Sequence, residues 1–351
     1  MKHWIRIYRN QIKKVLLGIG LISLTLISWT TVNLYRQRKA TEAMIAARNS
    51  MISATETIEA AEGKTDGSRV IWQDKTYRRN TYMKAILCMG VDRSGAMTEQ
   101  TTAGFGGQAD GLFLIAQDTA RGNIRILMIP RDTMTDITLT DLSGNVLGKN
   151  LQHLTLAYAY GDGREKSCEY MTDAVSELFG GLKIDHYLAA DTDVINVLND
   201  AVGGVTVTVP TEGMEQKDPA FVKGNTITLR GEQAEAFVRY RDINRSHSAL
   251  YRMDQQQEYL KGFFQAAQAA AGNDSQKISG LFALIQDNMV TDMAKDQYLK
   301  IALDALQTKG LTDADIYTVP GEGVTTGRYD EFYVSQEELT PILLELFYRE
   351  T

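Results

Sequence analysis

The chain has 351 residues, of which 44% are hydrophobic and 23% charged, with a formal net charge of −7. These are ordinary globular proportions, and the length allows a core that needs no covalent staples. With only Cys88, Cys168 and four histidines, the composition excludes a disulfide-rich scaffold, a Cys-rich metal site and a multi-His metal centre.

The charge is unevenly spread. Residues 1–39 hold eight Lys/Arg and no acid, so removing their +8 from −7 leaves −15 on the remainder. Residues 15–35, VLLGIGLISLTLISWTTVNLY, are 21 positions without a charge, long enough to span a bilayer core. Five Lys/Arg precede the run and three follow it closely, which favours a cytoplasmic N-terminus. A cleaved signal peptide is the rival reading. The run is longer than a signal-peptide core, however, and no small-x-small cleavage site follows it. The expectation is a cytoplasmic tail at 1–14, a single transmembrane helix at 15–35 in the cell membrane, and a main domain outside the cytoplasm. Residues 36–80, polar and Ala-rich, read as a stalk, with helical spacing near 40–61.

Residues 85–91 (AILCMGV) form the continuous apolar run of a strand buried on both faces. Cys88 lies inside it, so two buried thiols are expected rather than a bridge to Cys168, which stays open as the alternative. Residues 94–107, rich in Gly and Thr, read as a loop. Strands at 112–117 and 123–129, joined by a short turn at 119–122, predict a hairpin. Helical patterns follow at 151–160 and 165–178, the second stopped by Gly180-Gly181. Further on, strands are expected at 184–190 and 205–209. Helices are expected at 192–198, 231–238, 250–270, 278–286 and 295–307, and from Ser335 onward. The sum is an α/β domain over residues 81–310, a central β-sheet flanked by α-helices, with residues 311–351 a C-terminal extension packed on it.

The chemistry concentrates in residues 237–257, FVRYRDINRSHSALYRMDQQQ, which carry Arg239, Arg241, Arg245 and Arg252 but no Lys. Arginine offers a rigid fork that grips phosphate or carboxylate with two parallel hydrogen bonds. On a domain of −15 this cluster reads as a specific anion site, not a nucleic-acid surface. Three more segments place charge at strand ends, where ligands of open α/β sheets sit. Asp92 closes the first strand, Asp110 precedes the second, and Pro130-Arg131-Asp132 follows the third. Asp92 and Asp110 flank one glycine-rich loop. If their strands are neighbours, both reach one divalent cation, and Mg²⁺ takes one or two carboxylates beside waters and phosphates. Each piece has a plainer reading alone. The aspartates suit turns or caps, Arg131 and Asp132 an internal ion pair, Arg239 and Arg241 a solvated face, and Arg252 and Gln256 simple helix neighbours.

Taken in order, ILCMGVD (86–92), QADGLFLIA (108–116), IRILMIPRDTM (124–134) and LAYAYGDG (156–163) resemble the LytR–CpsA–Psr family. So do IDHYLAAD (184–191), VLNDAVGGVTVTVP (197–210), LRGEQAEAFVRYR (229–241) and RMDQQQ (252–257). The resemblance implies a membrane-anchored phosphotransferase of bacterial envelopes. Such an enzyme moves a phosphate-linked glycopolymer, such as teichoic acid or capsular polysaccharide, from a polyprenyl pyrophosphate carrier to peptidoglycan. It implies a mixed central β-sheet flanked by α-helices, with an apolar lipid-binding tunnel for the prenyl tail. By position, Asp92 and Asp110 would hold Mg²⁺. Arg131, Arg239, Arg241, Arg252 and Gln256 would bind the pyrophosphate, with Arg131 and Asp132 as the catalytic pair. Asp132 would orient Arg131 or activate the acceptor. Phosphoryl transfer of this kind needs positioning and charge neutralisation more than a covalent nucleophile.

The chain departs from the family pattern at Gln108 and Gln255, where the family carries Arg, and at His153, where it carries Lys. Arg93 or Arg245 is the expected compensation. The implied function is a Mg²⁺-dependent glycopolymer–peptidoglycan phosphotransferase with pyrophosphatase as a side activity. The alternative is a tethered polyprenyl-phosphate or wall-glycan binder without turnover.

Overall fold

The apolar run at 85–91 lies in the middle of the molecule's main sheet. The structure, a computed structural model, describes Lys39 and residues 67–351 apart from 243, 273, 308, 309, 327 and 328. The expected membrane span at 15–35 and the helical spacing near 40–61 lie outside the described residues. Among those described, no helix is long and apolar enough to cross a membrane.

The strands in chain order are β1 (Arg69–Trp72), β2 (Lys75–Arg79), β3 (Met83–Val91), β4 (Ala109–Asp118), β5 (Ile124–Met128), β6 (Met134–Thr140), β7 (Val146–His153) and β8 (His186–Asp191). They continue with β9 (Val205–Thr208), β10 (Thr226–Leu229), β11 (Met289–Thr291), β12 (Ile316–Thr318), β13 (Gly321–Thr325), β14 (Asp330–Val334) and β15 (Tyr348–Glu350). The helices are α1 (Leu156–Ala159), α2 (Glu165–Leu178), α3 (Asp193–Ala201), α4 (Gln233–Arg239), α5 (Ser248–Ala271), α6 (Ser275–Ile285), α7 (Lys295–Leu306) and α8 (Gln336–Phe347).

Six strands form the central sheet in the order β11-β8-β3-β4-β5-β12. The pairs β3–β4 and β4–β5 are antiparallel, whereas β3–β8 and β5–β12 are parallel, so the sheet is mixed. Alternation along each strand divides the core into layers. Leu87, Met89, Leu114 and Leu127 meet α1, α2 and α8 through Tyr158, Met171, Val175, Leu343 and Phe347. Ile124, Ile126 and Met128 point the other way, into a cluster of β9, β10 and α4–α7 that includes Val207, Phe237, Met253, Phe264 and Leu306. The β4–β5 turn closes as expected, with the Asp118 carboxylate accepting the N–H groups of Ala120 and Arg121 at 2.9 and 3.1 Å.

Two boundaries move. Residues 69–79, expected to be part of a stalk, form β1 and β2, and β2 pairs with β15 at the far end of the chain. Their connecting turn puts Gln73 and Asp74 at φ of 49° and 61°. That geometry is usually signalled by Asn-Gly, so here it left no mark in the sequence. The limit at 310 also falls inside the domain, because β12 belongs to the central sheet. Residues 151–153, expected to be helical, end β7 instead, and the helix shrinks to α1. Strand β7 is exposed along most of its length and polar, so it lacks the alternation that marks a half-buried strand. Both cysteines are free and buried. Burial pushes the Cys88 thiol up to about 12 and raises that of Cys168 as well.

Candidate anion site at the end of the central sheet

The β3–β4 pairing contains an irregularity that builds the site. Gly90 faces Gly111 and Val91 faces Ala109, leaving Asp110 as the unmatched residue of a β-bulge. A bulge bends its strand and re-aims the extra side chain. Asp110 therefore lies within β4 rather than ahead of it. Gly111 keeps the backbone bare under α5, since a Cβ there would come within 3.4 Å of the Gln256 amide. Asp92 follows β3 directly, and its N–H donates to the Gln108 carbonyl at 2.8 Å, which closes the glycine-rich loop.

The turn after β5 is fixed by Thr133, whose N–H and Oγ1 both donate to the Pro130 carbonyl. Thr155 ties this turn to the bulge: its N–H donates to the Arg131 carbonyl and its Oγ1 to that of Ala109. Arg131 is thereby delivered to Asp110.

The Asp110 carboxylate is clamped between two guanidinium groups. One oxygen accepts from Arg131 and the other from Arg252 Nη1 at 2.9 Å. Arg131 also donates to Gln108 Oε1 at 3.0 Å and lies 3.2 Å from Asp132 through Nε. That Nε–H is buried and has no aligned acceptor. Asp92 accepts from Arg239 at 2.5 Å, and Arg239 reaches back one helical turn to Glu235 at 2.7 Å. Arg241 Nε donates to Ser248 Oγ at 2.6 Å, and its Nη2 lies 3.9 Å from Asp330.

The site is graded from floor to rim. The side chains of Arg252 and Asp110 are 7% and 21% exposed, whereas those of Arg239 and Asp92 are 44% and 47% exposed. Burial lowers the pKa of Arg252; Asp110 opposes this, while Arg131 and Arg241 add to it. Burial also works against Arg239, but Glu235, Asp92 and Asp110 outweigh it and raise its pKa. These influences tie Asp92, Asp110, Arg131, Arg239, Arg241 and Arg252 into one electrostatic unit. Asp132 joins it through Arg131, and Gln256 sits over the bulge.

The departures at 108 and 255 have structural roles here. Gln108 accepts from Arg131. Gln255 is 1% exposed. With its amide nitrogen turned toward α4, it donates to the carbonyls of Phe237 and Tyr240 at 2.8 and 3.1 Å, steadying the segment that carries Arg239 and Arg241. The expected compensation by Arg93 or Arg245 is not seen. Arg93 donates to Thr98, and Arg245 stacks on the Tyr251 ring at 3.4 Å. His153 bonds the Asp330 carbonyl at 3.0 Å.

Asp330, Ser248 and Glu235 complete the site without having been singled out in the sequence. Asp330 lies on β14, which runs beside the arginine turn: Phe332 N–H donates to the Asp132 carbonyl at 2.9 Å, and Thr133 bridges Phe332. Glu235 was findable, since Glu four residues before Arg is a helix pairing signal. Asp330 had no comparable signal.

Among the described residues, no three His, Cys, Asp or Glu side chains gather as a metal-holding group. Two carboxylates, both coupled to Arg239, suit a hard cation that takes its remaining ligands from water and phosphate. A cavity of about 930 Å³ lies at the opposite end of the sheet, where Asp118, Arg121, Arg125, Lys300 and Asp304 line it. It shares no residue with the arginine site, and its polar wall does not suit a lipid tail. Phe113 and Ile115 of β4, and Leu260, Phe263, Leu281 and Phe282, are partly buried residues packed against the second core cluster, whereas Leu112 and Leu114 on the other face of β4 are fully enclosed.

Comparison with known proteins gives a consistent picture. Residues 42–347 match the model of the LytR_cpsA_psr family. The chain is 28% identical over 239 residues to the polyisoprenyl-teichoic acid–peptidoglycan teichoic acid transferase TagU of Bacillus cereus strain AH820, covering 68% of this chain and 69% of that protein. It is 26% identical over 262 residues to TagU of Halalkalibacterium halodurans, covering 75% and 77%. The fold is shared with B. subtilis TagV, at a TM-score of 0.57, 22% identity and coverage of 76% of this chain and 97% of that one. A structure of TagT bound to LI-WTA gives the same TM-score at 19% identity, covering 76% and 90%.

Proposed function

We propose a function from one premise: the chain belongs to the LytR_cpsA_psr family. It is a membrane-anchored, extracytoplasmic phosphotransferase. It moves a phosphate-linked glycopolymer of the teichoic acid class from a polyprenyl pyrophosphate carrier to peptidoglycan. Relatives named as teichoic acid transferases support the donor and acceptor classes. The charge-free run at 15–35 supports the anchor.

The observation that carries this reading is the clamp on Asp110. Three arginines from three separate segments, Arg131, Arg239 and Arg252, meet two strand-end carboxylates, with Arg252 on a buried floor and Arg239 at an open rim. In this state every guanidinium is already paired with an acid. A divalent cation on Asp92 and Asp110 would release Arg131, Arg239 and Arg252 toward phosphate oxygens. When bound, Mg²⁺ supplies charge neutralisation at the pyrophosphate. Arg131 and Arg252 then hold phosphate oxygens from below, Arg239 and Arg241 hold them from the rim, and Gln256 donates over the bulge. Asp132 keeps Arg131 in place. The acceptor hydroxyl oxygen bonds to the glycopolymer's phosphorus, and polyprenyl phosphate leaves. Its tail is apolar and calls for a lipid tunnel beside the arginines, as the family resemblance implies. Pyrophosphatase activity is the same displacement with water as acceptor.

The test uses the full chain in detergent or membranes, a polyprenyl pyrophosphate-linked teichoic acid analogue, peptidoglycan, and Mg²⁺. Transfer is expected in Mg²⁺ and is lost in EDTA. Arg131→Ala and Arg241→Ala should each lower it by about 10²–10³-fold, as loss of one transition-state donor does, without unfolding the domain. The second reading, a binder without turnover, has an observation of its own: the arginines are fully paired as they stand. Lipid binding with no transfer under any divalent metal would establish it. If neither lipid nor glycan bound, both readings would be wrong.

A further inference from the structure

His247 has no part in the clamp, yet it is held with care. It precedes α5 in the left-handed region, at φ of 55°, where residues other than Gly are uncommon. Its ring lies against Gly323 of β13, where an added Cβ would come within 2.6 Å of Nδ1. Asp330 of β14 faces it from the same hairpin. The His247 N–H donates to Asp330 Oδ2 at 2.8 Å, and ring Nδ1 lies 4.0 Å from Asp330 Oδ1. Asp330 is itself fixed: Thr325 Oγ1 donates to Oδ1 at 2.9 Å, and the side chain is 12% exposed. The ring is 32% exposed, and among the described residues its Nε2 makes no hydrogen bond.

The other charged groups near the ring are Arg241, which shares Asp330 at 3.9 Å, and His153, which bonds the Asp330 carbonyl from β7. Asp242 and Arg245 lie on the same turn, with Arg245 N–H donating to the Asp242 carbonyl. A histidine whose Nδ1 lies 4.0 Å from a fixed carboxylate, shared at 3.9 Å with a phosphate-binding arginine, is placed as a base whose orienting group can close on it when substrate binds. The rival base, Asp132, lies 3.2 Å from Arg131 Nε and is engaged in that ion pair.

We propose that His247 accepts the proton of the acceptor hydroxyl and that Asp330, on the C-terminal hairpin, positions its ring. This rests on the transferase reading above. The hydroxyl O–H bond breaks and its proton passes to Nε2 of the neutral imidazole. The oxygen forms a bond to the phosphorus of the glycopolymer phosphate. The P–O bond to polyprenyl phosphate breaks, and that group leaves with the electron pair. Asp330 stabilises the imidazolium.

The test measures transfer by the full-length protein from a polyprenyl pyrophosphate-linked teichoic acid analogue to peptidoglycan fragments, between about pH 5 and 9, across the range where histidine titrates. His247→Gln should lower kcat by about 10²–10⁴-fold and abolish the acidic limb of the rate profile, with donor affinity unchanged. Asp330→Asn should lower kcat by a smaller factor at constant KM, and added imidazole should restore transfer to His247→Ala. The proposal is overturned if the wild type transfers and His247→Gln does so within threefold with its acidic limb intact. Loss of donor binding alongside transfer would overturn it too, since the role would then be structural. A wild type that transfers nothing would instead sink the transferase reading, and this step with it.

Discussion

The two ends of the β4–β5 hairpin carry the same residue types and differ in what surrounds them. At one end Asp110 sits between Arg131 and Arg252, with Arg252 almost fully enclosed. At the other, Asp118 pairs with an Arg121 that is 78% exposed, and Lys300, 70% exposed, pairs with Asp304 one turn along the same helix. An exposed pair gains little, because water screens it and two long side chains must be held still. A buried pair holds charges that have lost their water, so each depends on its partner. The lesson is that charge at a strand end becomes a site only where folding removes solvent and brings in a second and third charged chain.

The sharpest way to break this contrast is Asp110→Ala. It leaves the Arg252 guanidinium buried without its partner, and urea unfolding should report a loss of about 3–5 kcal/mol, together with loss of transfer. A milder blow is Gln255→Ala. The Phe237 and Tyr240 carbonyls lose their donor, and the expected cost is about 1–3 kcal/mol, with weaker donor binding because Arg239 and Arg241 are less well held. Arg121→Ala, at the opposite end, should leave both transfer and melting temperature unchanged. A clear effect there would mean that the polar cavity works with the arginine site.

Much of the frame was legible from local signals. The apolar run became β3, the turn at 119–122 became a hairpin, and the arginine-rich stretch became the end of α4 and the start of α5. All eight expected site residues reach one end of the sheet. What escaped was non-local. Gln73 and Asp74 form a tight turn without the usual residues, so the first hairpin looked like linker. Residues 151–153, read as the start of a helix, are the last three of β7, a strand too exposed and polar over most of its length to show a strand's alternation. The replacements at 108 and 255 looked like lost cations, and their hydrogen bonds became visible only with their partners in place.

By itself the sequence determined the residue types, the strands that bury two faces, and the ordered motifs that mark the family. Those depend on neighbours within a few residues, and hydrophobic periodicity reports them. Only the tertiary structure decided that Asp110 is bulged out of its ladder, that Arg131 and Arg252 share it, and that the C-terminal hairpin brings Asp330 to Arg241 and His247. The physical reason is that strand register and packing set these contacts, and no local pattern records which distant segment will supply the partner.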